Sequence, residues 1–384
     1  MVESAVGKRA GLDTPRAVPG TTAGGYLPAL DGLRAVSILL VVVAHLDITQ
    51  LVPGGFGVTL FFFISGYLIT GQLLKSLRTR GRIDFAAFYL RRALRLLPAG
   101  LAYIVVAGAG FQLLGGRISP AGWLAALFYT ANYCEIWQGY VSNLAGIRHP
   151  FNILWSLAVE EHFYVLWPAA LAWLEPARDG GRRAILLVLG VCLAVLAWRF
   201  YLMDVCTSIG AGGASFCGPR TLIAGNDFNR FYMATDTRLD SIGWGALMAL
   251  LEGRVVLVGR WRAVGGVALL ILSFALPGQW GRHVLRGTVQ GVALLGLVPW
   301  LLQPGSWPNR LLCLPPALLL GRLSYSLYLW HWAALMAADA IAPSSDAAWR
   351  MIAVSLSLSL ACASYWGIER PMLRVRRRFG SHAV

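Results

Sequence analysis

The sequence predicts an all-α fold, a polytopic membrane bundle of about ten transmembrane helices. Three observations predict it. The 384 residues are 57% hydrophobic and only 13% charged, where a soluble domain carries about 25% charged residues. The apolar residues fall in blocks long enough to cross a bilayer, which takes about 20 residues. The 33 Lys and Arg residues crowd into alternate segments between the blocks, as cytoplasmic loops do.

The blocks run near residues 30–50, 56–74, 94–114, 152–174, 184–203, 236–251, 263–277, 286–302, 315–338 and 347–368. Residues 1–25 are polar and rich in Gly and Pro, without a signal-peptide pattern, and read as a disordered cytoplasmic tail. Residues 26–371 read as one integral membrane domain and 372–384 as a basic cytoplasmic tail. With both termini inside, basic residues concentrate in 75–95, 175–183, 252–262 and after 369. The outside segments hold only Arg117, Arg148, Arg220, Arg230, Arg282, Arg286 and Arg350. The net charge of +15 is thereby a topology signal and a contact for anionic lipid headgroups, and no nucleic acid is expected.

Absent motifs narrow the function. The only lysines, Lys8 and Lys75, follow no phosphate-loop pattern, and H-E-x-x-H and G-x-S-x-G do not occur. Without C-x-x-C, a zinc site of that type is excluded, and no metal is expected. Cys206 and Cys217 share one outside segment, where an oxidising compartment allows a disulfide.

Ionisable residues within a membrane are costly and mark functional sites by default. The first block, "LDGLRAVSILLVVVAH", carries Asp31, Arg34 and His45. Eleven residues at 1.5 Å each put His45 about 16 Å beyond Arg34. If Arg34 marks the cytoplasmic interface, His45 stands near mid-bilayer. An imidazole there suits a general base; the plainer reading is an inert, hydrogen-bonded His at a helix end. The second block holds Ser65 and Gly66, small residues that allow close helix contact. Next, "FYLRRALRLLPAG" sets Arg91, Arg92 and Arg95 on about one turn, with Arg91 and Arg95 on one face. Guanidinium forks hold phosphates, so this cluster suits a nucleotide-bearing donor; the alternative is a lipid-facing topology signal.

The fourth block, "FNILWSLAVEEHFYVLWP", combines Trp155 and Tyr164, which suit a membrane interface belt, with Glu160, Glu161 and His162, which do not. Ser156, Glu160 and Tyr164 share a face, and Glu161 is turned about 100° away. Either carboxylate suits orienting an imidazole or binding an acceptor hydroxyl; the alternative is structural pairing with arginines. Arg238 and Asp240 open the sixth block, paired with each other or across helices. The ninth block, "GRLSYSLYLWHW", holds Tyr325 and a polar stripe of Ser324, Tyr328 and His331.

Taken in order, "LDGLRA…H", "GGFGVTLFFFISGYL", "RRALRLLP", "WSLAVEEHFY", "TRLDSIGWG", "GRLSYSLYLWH" and "IERP" run from Leu30 to Pro371. Together they resemble acyltransferase family 3, the polytopic bacterial membrane O-acyltransferases. The resemblance implies transfer of an acyl group, most often acetyl, from acetyl-CoA or another acyl-CoA to a hydroxyl of a carbohydrate or glycolipid. Nodulation signals and macrolides are further acceptors of the family. It implies that His45 is the family's essential histidine, that Arg34 is the arginine of its first motif, and that Arg91 to Arg95 fall on its R-x-x-R element. Some members carry a fused C-terminal esterase-like domain; this sequence stops soon after Arg378 and is expected to lack one.

The expected mechanism has His45 as general base and Glu160 orienting it. Arg34, Arg91, Arg92 and Arg95 hold the donor. Asp31, Ser65, Ser156, Glu161, Tyr164, Tyr325 and His331 contact substrate, with Ser65, Ser156 or Tyr325 as oxyanion donors. Direct transfer and an acyl-histidine intermediate both remain open. The outside segments near 115–150 and 204–235, with Tyr133, Trp137 and Tyr140, suit a sugar-binding face. The expected location is the bacterial inner membrane. The alternative from another class is a transporter or flippase, though no inverted repeat is visible.

Overall fold

The computed structural model describes residues 26–48, 53–138, 143–174, 179–208, 229–254, 258–342 and 346–377. The predicted N-terminal tail, the last residues of the basic C-terminal tail, Tyr140, Cys217 and the side chain of Cys206 lie outside the described residues.

Among the described residues every regular element is helical. The first half comprises α1 (Pro28–His45), α2 (Gly54–Arg80), α3 (Phe85–Leu113), α4 (Pro120–Leu127), α5 (Ala131–Gln138), α6 (Trp155–Leu174) and α7 (Arg182–Ser208). The second half comprises α8 (Asn229–Met233), α9 (Thr235–Leu251), α10 (Arg260–Ala275), α11 (Arg286–Leu302), α12 (Trp307–Leu312), α13 (Pro315–Ile341), α14 (Ala347–Ser364) and α15 (Arg370–Arg377). A π-helical stretch, Trp280–Leu285, leads into α11, and another, Tyr365–Glu369, joins α14 to α15.

A helix fills each of the ten expected blocks, but six are long and apolar enough to cross a membrane: Pro28–His45, Gly54–Arg80, Phe85–Leu113, Arg182–Val205, Trp280–Leu302 and Ala347–Arg376. The other four depart from that pattern for physical reasons. With 17 and 16 residues, α9 and α10 are shorter than α1, the shortest of the six at 18 residues. The longer α6 and α13 devote positions to buried polar groups.

Block one also ends earlier than residue 50. Leu46 leaves helical geometry and Asp47 takes a left-handed φ of 49°, so His45 is the last residue of α1. Block three starts earlier than residue 94. Asp84 caps α3 by accepting from the Ala87 N–H at 3.0 Å, a favourable satisfaction of an end donor, so Arg91, Arg92 and Arg95 lie within the helix.

The centre of the bundle is α9, buried along nearly its whole length and packed against α2, α7 and α11. The α2–α9 crossing is backbone to backbone. A Cβ on Gly66 would stand 2.0 Å from the Ile242 carbonyl oxygen, and one on Gly245 would stand 1.9 Å from that of Phe63. Only glycine fits there, as the small-residue rule for membrane helices anticipates. A second seam joins α1 to α13 and α13 to α14. These two seams hold α1, α2 and α13 around the site.

Candidate active site

His45 reaches from the end of α1 to His331 on α13. The Nδ1 atom of His45 is 3.1 Å from Nε2 of His331. The other ring nitrogen of His331, Nδ1, is 3.0 Å from the carbonyl oxygen of Leu327. A carbonyl can only accept, so His331 Nδ1 carries the hydrogen and, in the neutral ring, Nε2 is a bare lone pair. His45 Nδ1–H therefore donates to it, and Nε2 of neutral His45 is left as the basic nitrogen. The two rings lie within 14° of coplanar, which suits a hydrogen bond made by in-plane lone pairs.

A roof encloses this dyad. Trp332 stands edge-on to His45, centroids 5.1 Å apart, and its indole N–H donates to the His149 carbonyl at 2.9 Å. Arg148 pairs with Asp339 at 2.5 Å, and the Trp349 indole N–H donates to the same carboxylate at 3.0 Å. Arg350 donates to the carbonyls of Leu46 and Asp47 at 3.2 and 3.1 Å, which ties α14 to the chain just after His45. On the loop before α6, burial holds the imidazole of His149 down at about 4.

Below His331, the predicted stripe faces inward: Ser324, Tyr328 and His331 are all buried. The Tyr328 ring lies 5.9 Å from that of His331. Its hydroxyl donates to the Ile153 carbonyl at 3.0 Å and meets the Ser156 hydroxyl at 2.5 Å. From there a narrow cavity of about 70 Å³ runs along α2 toward Gln72, with Ser65, Glu160, Tyr164 and Tyr325 in its wall and Arg34, Arg92 and Arg95 around it. Glu160 accepts from Ser65 at 2.8 Å and from Tyr164 at 3.0 Å. The Arg92 guanidinium stacks 3.6 Å above the Tyr164 ring, and its buried Nε has no partner. Glu160 is the only carboxylate among the described residues lining this cavity.

Several sequence expectations change. Glu160 does not orient His45: both its oxygens are taken by Ser65 and Tyr164, and His331 holds His45 instead. Arg91 does not line the cavity. It sits one turn nearer the start of α3, among the charges of Arg80 and Asp84, and the arginines that converge are Arg34, Arg92 and Arg95. Glu161 and Asp31 also lie outside the lining. Glu161 is rotated off the Ser156–Glu160–Tyr164 face, and Asp31 accepts from Tyr26 at 2.6 Å and faces Arg34 at 3.9 Å. Trp155 and Tyr164 are not an interface belt. Both are buried, Trp155 against Phe62 and Tyr232.

The proposed oxyanion donors are occupied. Ser65 donates to Glu160, Tyr325 donates to the Leu96 carbonyl at 2.8 Å, and Ser156 donates to Tyr328, whose own hydrogen goes to Ile153. None has a hydrogen to spare in this arrangement. Arg238 and Asp240 pair across helices: Arg199 of α7 binds Asp240, and Arg238 donates to Thr59 of α2 at 3.0 Å. Tyr133 stacks on Trp137 at 5.4 Å and on His162 at 6.1 Å. Among the described residues no group of three or more His, Cys, Asp and Glu could hold a metal ion. The pairing of His331 with His45 was missed, although the Ser324–Tyr328–His331 stripe was its available signal.

The fold and the site define a helical membrane protein with a histidine dyad above an arginine-lined cavity. The family model described as an acyltransferase domain matches residues 27–366, and the chain belongs to acyltransferase family 3. It is 29% identical over 366 residues to SACOL0978 of Staphylococcus aureus (strain COL), a provisionally named O-acetyltransferase, covering 90% of this chain and 57% of that protein. It is 32% identical over 324 residues to O-acetyltransferase OatA of Staphylococcus aureus (strain NCTC 8325 / PS 47), covering 80% of this chain and 50% of that protein. The chain thus spans about half the length of the curated relatives it matches. No solved structure matches it.

Proposed function

We propose that the chain is a membrane O-acetyltransferase that moves an acetyl group from acetyl-CoA to a hydroxyl of a carbohydrate or glycolipid. The observation that carries the reading is the dyad. The Leu327 carbonyl fixes the tautomer of His331, which fixes that of His45 and leaves His45 Nε2 as a base. Family membership supports an acyltransferase over a transporter.

In the proposed cycle the phosphates of the donor lie at Arg34, Arg92 and Arg95, where fork-shaped cations suit them. At about 70 Å³ the cavity admits little more than one such group, so the donor needs the Ser65–Glu160–Tyr164 network to open. Glu160 offsets the arginine charge while the site is empty and is the group to be displaced by the incoming anion. The acceptor hydroxyl gives its proton to His45 Nε2 as its oxygen bonds to the acetyl carbon. The carbon–sulfur bond then breaks, and the thiolate of CoA takes the proton from the His45 imidazolium. His331 positions His45 and spreads part of its positive charge to the Leu327 carbonyl. The protein works in a bacterial cell membrane with both termini cytoplasmic, so that the arginine end faces the cytoplasmic donor.

The test is acetyl transfer by the purified full chain in detergent, with radiolabelled acetyl-CoA and a bacterial surface glycan as acceptor. Label on the glycan and released CoA thiol are expected from the wild type, and neither from His45→Ala. Full turnover by that variant overturns the assignment of the base.

A further inference from the structure

A second cavity, of about 350 Å³, opens at the other end of α2. Four arginines line it: Arg199, Arg238, Arg282 and Arg286. Its described lining holds no Asp or Glu. Asp240 compensates one of the four charges through its ion pair with Arg199; of the others, Arg238 is buried without a counter-charge, Arg286 is half-buried and Arg282 stands exposed at the mouth. A buried guanidinium such as that of Arg238 is costly unless a counter-charge arrives.

The arginines are aimed at a common place. A Cβ on Gly287 would stand 2.6 Å from Nη1 of Arg199 and 3.9 Å from Nη1 of Arg238, so two guanidinium groups converge over a glycine that leaves them room. Arg199 and Arg238 are only 2% and 7% exposed, and the Nε of each is buried without a partner. Arg238 finds a hydroxyl on Thr59 and the ring of Tyr232 at 5.5 Å, but its side chain forms no ion pair among the described residues. Two buried guanidinium groups converging beside one hollow suit an oxyanion.

The rim is apolar. Phe56 of α2 meets Phe274 of α10 edge to face at 5.7 Å, and both line the cavity. Beyond Phe274, α10 exposes Val264, Ile271 and Leu272, the face a helix turns to lipid. Charge inside and hydrocarbon at the rim match an amphiphile with a phosphate head.

We propose that this cavity binds the phosphate of a membrane lipid, with Arg199 and Arg238 at its base, Arg282 and Arg286 at its sides, and the alkyl chain leaving past Phe56 and Phe274. The chemistry is common to a phospholipid headgroup and to the phosphate of a polyprenyl carrier. The site is separate from the acetyl-transfer cavity and its test reads binding, so the proposal does not depend on the reaction.

The experiment is native mass spectrometry on the delipidated full chain in detergent, titrated in turn with phosphatidylglycerol, a polyprenyl phosphate and diacylglycerol. At least tenfold tighter retention of one or both phosphate lipids over diacylglycerol is expected; whichever phosphate lipid is preferred identifies the source. Arg238→Gln should reduce that retention about tenfold. Arg286→Gln, at a partly exposed position, should reduce it severalfold, and the bound lipid should raise the melting temperature of the wild type more than that of this variant. Equal retention of diacylglycerol overturns the proposal, as does unchanged phosphate-lipid binding in folded Arg286→Gln and Arg238→Gln proteins.

Discussion

The two ends of α2 face two arginine-lined cavities that solve the same electrostatic problem differently. Toward Gln72, Arg34, Arg92 and Arg95 surround a carboxylate, Glu160, and the space is about 70 Å³. Toward Pro53, Arg199, Arg238, Arg282 and Arg286 surround no described carboxylate, and the space is about 350 Å³. The first carries its counter-charge in its own wall; the second has no described carboxylate in its lining, and the nearest, Asp240, is spent on Arg199. Counting arginines does not separate the two, because what differs is where the nearest negative group sits.

The sharpest test of that contrast is His45→Ala. The dyad stands above the smaller cavity, so acetyl transfer should fall by about 10²–10⁴-fold, the worth of a general base, while phosphate-lipid retention is unchanged. Steady-state kinetics beside native mass spectrometry reads both. If lipid binding fell in step, the cavities would be one site.

Gly245→Val tests the α2–α9 contact, since α2 lines both cavities. Its side chain would drive into the Phe63 carbonyl, where even a Cβ stands at 1.9 Å, and overpacking of this kind costs about 1–3 kcal/mol. The melting temperature should drop, and both the KM for acetyl-CoA and lipid retention should worsen together. A loss confined to one cavity would show that the α2–α9 contact does not support both.

His331→Gln removes the ring that sets the His45 tautomer. It should lower kcat about ten- to a hundredfold with little change in the KM for acetyl-CoA, a cost in the range of a buried hydrogen bond lost from a charged partner. An altered KM alone would make His331 a binding residue, as the sequence reading had it. Arg95→Gln should raise the KM for acetyl-CoA about tenfold, near 1.4 kcal/mol, and Arg91→Gln much less, since Arg91 lies outside the lining. Equal effects would return the donor site to the Arg91–Arg95 face.

His149 lies in neither cavity and supplies the control. Burial lowers its imidazole to about 4, below the ordinary value of about 6.5. Near pH 7 it is neutral folded and unfolded. As pH falls below about 6.5 the unfolded chain takes the proton first, so stability is lost between there and about 4, on the order of 2 kcal/mol at pH 5. Thermal melts against pH should show this loss, and His149→Gln should flatten it. An unflattened profile would put the acid sensitivity elsewhere.

Much of this protein was legible in its residues alone. Apolar blocks and alternating arginines determined a helical membrane bundle because a bilayer admits few other backbones. Periodicity of about 3.6 put Ser156, Glu160 and Tyr164 on one face and Ser324, Tyr328 and His331 on another, and all six turn inward. Ordered motifs pointed to the family. Partners across helices were not legible. Nothing in the spacing says that His45 meets a residue 286 positions away, that Glu160 spends both oxygens on Ser65 and Tyr164, or that Arg92 rather than Arg91 enters the cavity. Such pairings depend on the crossing of whole helices, which glycines such as Gly66 and Gly245 allow and side-chain packing decides. The same holds for the lipid-phosphate cavity: its arginines come from α7, α9 and the approach to α11, and only tertiary structure brings them to one hollow.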